Sequence, residues 1–331
     1  NELSGEALST QIYSIEDNGL NLSSIEVFRA SEDDPEVDFD LRLARLGYFV
    51  GHQDGILPKL AISKNWANDD AKGRYKCILD THAKLSGSAS SVSHSDNINC
   101  LLRETNKKTQ NADIYALLAA YRQFQYLGYL DSEMTKQELE VQIAKNLEKS
   151  VMYGPNNTET IISAIRNEKI KAQYSELALR EFTRTIELRA PFEPHLSHQS
   201  AVVLSYVFAE HEKAKKTSDV YRAIKGDSFH RNQILYLISI IEDDFDEQSY
   251  FLNYFSRLGD QSLPYISTLN LAASINNNDA KGCSLAFSDL KTRNFEKIRS
   301  TIEKTYLNIE IRMKLLNILS KPKPRACAFI N

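Results

Sequence analysis

A chain of 331 residues, 42% of them hydrophobic, holds enough apolar material for one large core or two modest ones, so it reads as a folded protein and not a disordered one. Only 12 glycines and 8 prolines punctuate it, which excludes an architecture of many short strands and turns and favours long helices. No run approaches the ~18 apolar residues of a membrane-spanning helix, and a net charge of −4 without a basic stripe argues against nucleic-acid binding.

The charge is unevenly spread. Residues 1–40 hold eleven acids and one base, Arg29, whereas the remainder nets +6, with 39 bases against 33 acids. No acid follows Glu310, but Arg312, Lys314, Lys321, Lys323 and Arg325 do. An acidic head lying against a mildly basic body is the plain reading of that asymmetry.

In chain order, residues 1–36 read as an irregular acidic segment with short apolar pieces near Ile12 and at 25–28. Asn18-Gly19 is the single candidate hairpin turn, and its flanks are polar. From Val37 the pattern becomes helical through Phe39, Leu41, Leu43, Leu46, Tyr48 and Phe49, with Gly51 as the stop. The helical N-terminal region spans 37–110 and is interrupted by "SGSASSVSHSDN" (86–97), whose serine content suits a surface loop.

Residues 112–130 form the clearest helix. Tyr115, Leu118, Tyr121 or Arg122, Gln125 or Tyr126, and Tyr129 recur at spacings of three and four. Such an aromatic stripe is ordinarily core or helix-packing surface, with a ligand groove as the other reading, because tyrosine joins an apolar body to a polar tip. Beyond it, turn signals at Gly154-Pro155, Pro191, Gly226 and Gly259 lie 37, 35 and 33 residues apart, and each interval accommodates two helices and a short turn. The fold predicted is all-α: antiparallel helical hairpins over 111–320, arranged as an α/α superhelical, solenoid-like array, with a basic tail at 321–331. "AASINNNDAKGCSLAF" (272–287) has the texture of a tetratricopeptide inter-helix turn, but that family's tryptophan, glycine and tyrosine positions are missing, so hairpin architecture alone is inferred.

Familiar catalytic motifs are absent: G-x-S-x-G, G-x-x-x-x-G-K-[ST], G-x-G-x-x-G and H-E-x-x-H do not occur, and no cofactor is implied. The acidic run "EDDFDEQ" (242–248) lacks the glycine and distal glutamate of a calcium loop and reads as a solvated helix end. Arg189 and His195 have the spacing of some helical ribonucleases, but Pro191 and Pro194 stand between them.

The stretch "EPHLSHQS" (193–200) places His195 and His198 three apart beside Glu193. A helix follows, with Val202, Val203, Tyr206, Val207 and Ala209 on its apolar side and Lys213, Lys215 and Lys216 at its far end. Either Ser197 caps it or Pro194 takes its first position after Glu193, and both put the histidines in the first turn. The positive end of a helix dipole opposes a bound cation, no third strong ligand is near, and His211 would lie on another face of the same helix. The pair therefore reads as a capped helix entry facing an anion or substrate, with no metal.

The four cysteines, Cys77, Cys100, Cys283 and Cys327, permit three pairings if all are bridged, and none has metal-like spacing. A Cys77–Cys100 bridge is expected in an oxidising compartment. Numbering opens at Asn1 without a charged and apolar leader, as in a processed exported chain. "LGYFVG" (46–51), "RYKC" (74–77), "NCLLRE" (99–104) and "YALLAAYRQFQYL" (115–127) resemble, in order and spacing, a group of uncharacterised exported bacterial helical proteins in which a cysteine pair precedes a Leu-Leu-x-x-Tyr-Arg helix. Here those positions are Cys77, Cys100, Leu117, Leu118, Tyr121 and Arg122. The resemblance covers about residues 40–130, carries no catalytic motif, and implies an exported, periplasmic location, with the cytoplasm as the alternative, and the Cys77–Cys100 bridge.

The functional expectation is a non-enzymatic binding or scaffold protein that offers a helical surface to a protein or peptide partner. The alternatives are a helical hydrolase or lyase, or a periplasmic glycan or small-ligand binder, with a cleft lined by Tyr115, Tyr121, Arg122, Tyr126, His195 and His198.

Overall fold

The computed structural model describes residues 9–16, 19–26, 69–85, 92–171, 173–189, 193–225, 229–257, 264–321 and 325–329. The helix read at 37–51, the "LPKLAISKNWAN" segment with Trp66, and residues 86–91 of the serine-rich stretch lie outside them. Apart from one hairpin in the head, the described chain is all-helical.

That hairpin corrects the reading of the head as irregular. Strands β1 (Ser9–Glu16) and β2 (Gly19–Glu26) pair antiparallel, with Ile12 opposite Ser23, Ile15 opposite Leu20 and Glu16 opposite Gly19. The β-branched Thr10, Ile12, Ile15 and Ile25 favour extended backbone, and Gly19, half of the one candidate turn, opens the second strand. The polar flanks masked a pairing that rests on backbone hydrogen bonds.

Fourteen helices follow among the described residues. They are α1 (Asp69–Leu85), α2 (His94–Asn106), α3 (Ala112–Leu127), α4 (Lys136–Tyr153), α5 (Thr158–Ile170), α6 (Glu176–Arg189), α7 (Pro194–Tyr206), α8 (His211–Lys225), α9 (Phe229–Ile241), α10 (Phe245–Ser256), α11 (Pro264–Asn276), α12 (Ala280–Leu290), α13 (Phe295–Thr305) and α14 (Ile309–Ser320). Each interval between the turn signals read from sequence holds two of them: α5 and α6, α7 and α8, α9 and α10. Local chemistry sets the ends. Thr135 and Glu138 make a reciprocal capping box on α4, Gly128 takes φ 79° past the end of α3, and Asp244 accepts from the Glu247 amide to start α10. The acidic run at 242–248 is accordingly a solvated turn and cap.

Two boundaries differ from the sequence reading. Helix α2 begins at His94, because Ser93 accepts the Asp96 amide at 3.0 Å; a serine taken as loop is a cap. The helix through the histidine pair stops at Tyr206, and Ala209 adopts φ 57° before α8 starts at His211. Thus the 13 residues after His198 do not form one rod.

Packing sorts the helices into two classes. The odd-numbered ones touch in succession, α1 on α3, α3 on α5, and so on to α13, while each even helix folds back on its predecessor. Helices α3, α7, α9 and α11 are buried nearly all round, and the even helices keep a wet face. An inner ladder clad by an outer layer is the arrangement of an α/α array. The ladder also curls: Asn308 donates to Tyr206 O at 3.1 Å, Lys304 Nζ to Leu127 O at 3.4 Å, and the Tyr129 hydroxyl pairs with Thr305 Oγ1. Residues 127–129 therefore meet the end of α13 some 175 positions away, and the inner helices surround a common space.

Two disulfides staple this body. Cys77 and Cys100 tie α1 to α2 with Cα atoms 5.8 Å apart, as expected, and Cys283 and Cys327 tie α12 to the short 3₁₀ turn 325–327, a pairing the sequence left open. The second bridge and the rings of Phe287 and Phe295 against Phe329 hold the basic tail down. No helix among the described residues is long and apolar enough to cross a membrane.

Candidate functional site

The space at the centre of the ladder is a cavity of about 150 Å³ walled by the odd helices. On α5 the lining positions are Glu159, Ile162, Arg166, Lys169 and Ile170, and on α7 they are His195, His198, Gln199, Val202 and Tyr206. Both sets follow spacings of three and four, so the stripe that would normally be apolar core is here half polar. His82 and Leu85 of α1, Gln123, Phe124 and Leu127 of α3, Tyr129, His230 and Gln233 of α9, Tyr265 of α11, and Lys304 and Thr305 of α13 complete the wall.

Electrostatically the wall is cationic: Arg166, Lys169 and Lys304 face it with one carboxylate, Glu159. Among the described residues neither Arg166 nor Lys169 has a carboxylate within 4.0 Å or a hydrogen-bond partner; each instead lies over a ring, the Arg166 guanidinium 5.6 Å from Phe124 and the Lys169 ammonium 5.8 Å from Tyr206. Burial pulls the Lys169 ammonium down to about 7, with the nearby Arg166 charge adding to the effect. Burial also lowers Arg166, opposed by Glu159 and Tyr265. Lys169 is half-buried and lines the cavity.

The neutral polar groups are arranged as unusually. Gln123 uses Nε2 on Ser163 O at 2.7 Å, and its Oε1 has no partner among the described residues. Gln233 accepts from the Tyr265 hydroxyl at 3.3 Å, and its Nε2 has none among them. The Tyr206 hydroxyl and His82 Nε2 are likewise unpartnered among the described residues, while His82 Nδ1 sits 3.7 Å from Glu159 Oε1. All four side chains are more than nine-tenths buried and all line the cavity. Most buried polar atoms in proteins are satisfied, so four orphans on one wall mark a surface made for polar contact. Burial raises the Tyr129 hydroxyl to about 12 and Tyr206 and Tyr265 above the ordinary range, so all three are donors at neutral pH.

Of the six residues assigned to a cleft from the sequence, His195 and His198 reach this site, and Tyr129, Val202 and Tyr206, read there only as stripe or apolar face, line it too. Glu193 caps α7 through the Leu196 amide at 2.5 Å with Pro194 in the first turn, the second of the two starts considered. His198 stacks on His230 with centroids 4.3 Å apart and planes 20° from parallel, and Tyr221 of α8 lies 5.9 Å from His195, 5.8 Å from His198 and 4.9 Å from His230. Face-to-face imidazoles do not aim their nitrogens at one point, and no group of three or more potential ligands among the described residues is placed to hold a metal. His211 does not line the cavity, and Arg189 ends α6 while His195 lies in α7, so no single helix carries both.

The four α3 residues assigned to a cleft are elsewhere. Tyr121 is fully buried with Cys77, Leu101 and Leu117, and its hydroxyl accepts from Asn97 Nδ2 at 3.1 Å. Tyr115 packs on Tyr153 beneath Lys149. Tyr126 lies under Lys136 at 5.6 Å, and Arg122 donates to Gln125 Oε1 at 2.7 Å and lines an adjoining groove that meets the cavity at Leu127, Tyr129 and Lys304. The reason is angular: at about 100° per residue, Gln123, Phe124 and Leu127 share one arc, and positions 115, 121, 122 and 126 fall outside it. Tyr129, the last of the aromatic stripe, does reach the wall because Gly128 has already turned the chain.

Compared with protein-family models, with curated proteins and with solved structures, the chain matches none.

Proposed function

We propose that this protein binds a small organic anion, a carboxylate or phosphate of a few heavy atoms, inside the cavity of its helical ladder. The observation that carries this reading is the pair of half-buried cations, Arg166 and Lys169, one helical turn apart on the cavity wall and with no carboxylate within 4.0 Å among the described residues. A buried cation is costly unless an anion meets it, and the pairing is worth most where water is scarce. The unpartnered atoms of His82, Gln123, Tyr206 and Gln233 supply both donors and acceptors for the neutral part of such a ligand. This favours the small-ligand alternative over the docking of a protein or peptide on the outer helices, because the uncommitted polar groups lie inside. An oxidising, exported compartment is part of the proposal, supported by two cysteine pairs at bridging distance.

Calorimetric titration with phosphate, pyruvate, succinate and a hexuronate is the test. At least one binds, and Arg166→Gln weakens it by roughly 10- to 100-fold, the value of a charge-assisted hydrogen bond, while Tyr121→Phe leaves binding unchanged. No binding by any of them, or equal binding by Arg166→Gln, overturns the reading.

A further inference from the structure

We infer that Lys169 is a reactive amine that forms an imine with the carbonyl of a 2-oxo acid whose carboxylate is held by Arg166. The inference rests on the anion-binding reading of the cavity and adds covalent chemistry to it.

Three features of the wall carry it. Arg166 and Lys169 stand at positions i and i+3 of α5, so their stems leave the helix about 5–6 Å apart and point into the same cavity. That is the separation at which one side chain can clasp a carboxylate while the other reaches the adjacent carbonyl carbon. Next, no carboxylate among the described residues pairs with Lys169, so its nitrogen is not committed to an ion pair. Finally, the Tyr206 ring lies 5.8 Å from Nζ and carries a hydroxyl with no partner among the described residues. A protonated phenol on the same wall can donate a hydrogen bond to the carbonyl oxygen as negative charge develops on it.

The step balances without a co-reactant. The Nζ lone pair attacks the carbonyl carbon, one N–H proton passes to the carbonyl oxygen, and a carbinolamine results; the C–O bond then breaks as the second N–H proton passes to the oxygen, which leaves as water, and a C=N bond to Nζ remains. Nothing is oxidised or reduced. The Tyr206 ring lies under Nζ and the Arg166 charge acts on it; the other titratable and charged groups lining the same cavity are Glu159 from its own helix, the histidines of α7 and α9, His82 of α1, Tyr129 after α3, Tyr265 of α11 and Lys304 of α13. Cations outnumber the single carboxylate, so the neutral amine needed for attack is favoured, as at other desolvated lysines placed beside a second cation. With its ammonium at about 7, Lys169 at pH 8 is neutral roughly three hundredfold more often than a surface lysine near 10.5.

The full chain is incubated with pyruvate and sodium borohydride at pH 8, digested, and mapped by mass spectrometry. One reduced pyruvyl adduct per chain is expected, on the peptide containing Lys169, formed at least tenfold faster than at any other lysine. It disappears in Lys169→Met and in Lys169→Arg, the second of which keeps the charge, and both variants are checked for native circular dichroism. Arg166→Gln raises the pyruvate concentration for half-maximal trapping without moving the adduct. If pyruvate binds by calorimetry but is not trapped at Lys169, the imine is wrong and the anion site stands. If pyruvate neither binds nor is trapped while phosphate binds, the imine is again wrong. Adducts spread evenly over surface lysines overturn it too, and failure of every anion removes both readings.

Discussion

Replacing Lys169 by methionine should stabilise the ligand-free protein, and should do so only at neutral and acid pH. The unfolded lysine titrates near 10.5 and the folded one at about 7. Below pH 7 both states are charged and the folded state carries the full cost of a desolvated ammonium. Between pH 7 and 10.5 the unfolded chain holds the additional proton, so stability climbs with pH; above 10.5 both are neutral and the cost is gone. At 1.36 kcal/mol per unit the ceiling is about 5 kcal/mol. Water in the cavity and the partial exposure of the side chain screen this to about 1–3 kcal/mol. Methionine keeps an unbranched stem of similar length, so little packing is lost. Denaturant unfolding followed by circular dichroism at pH 6 and 9.5 measures it: Lys169→Met is more stable by that amount at pH 6, and the gain falls to under about a third of it at pH 9.5. Phosphate should then stabilise the native chain and not the variant. A variant less stable than the native chain at pH 6 would refute the reasoning, because it would mean that the ammonium is paired or well hydrated.

Three other outcomes follow from the same geometry. Tyr206→Phe removes a buried hydroxyl without a protein partner and should be neutral or stabilising by up to about 1 kcal/mol in thermal melts, while slowing borohydride trapping at Lys169. Replacing Cys283 and Cys327 by alanine opens a loop of separation 44 that also pins Phe329, and should cost about 2–4 kcal/mol by denaturant titration; the Cys77–Cys100 loop, separation 23, should cost slightly less. Gly282→Ala should destabilise by at least about 1 kcal/mol in the same assay, since a Cβ there meets Ser274 Oγ of α11 and Asp279 Oδ2 of the α12 cap.

The limits of the sequence reading can be traced to particular residues. Gly154-Pro155, Pro191 and Gly226 marked where helix pairs end, because turn chemistry is local. Pro194 after Glu193 announced the start of α7 for the same reason. The site was harder. Arg166 and Lys169 in "IRNEKIK" look like any solvated helix face, and Gln123 and Gln233 carry no motif. Their polar character became informative only once α3, α5, α7 and α9 were seen side by side. For the aromatic stripe of α3 the ordinary reading holds, since Tyr121 and Tyr115 serve the core, and it is the ligand-groove alternative that fails at these positions.

The sequence by itself determined the class of fold and the pairing of helices, which follow from periodicity and caps along the chain; the Cys77–Cys100 staple was an expectation of compartment and resemblance that the structure places at bridging distance. Which face of each helix turns inward, the closure of residues 127–129 onto α13, and the gathering of His195 and His198 with Arg166, Lys169 and Tyr206 were decided only by the tertiary structure. Such contacts join positions tens to nearly two hundred residues apart, and no local pattern encodes the rotation of one helix relative to another. A ring of inner helices can hold either a dry core or a charged cavity, and the two differ by a few side chains whose meaning depends on what stands opposite.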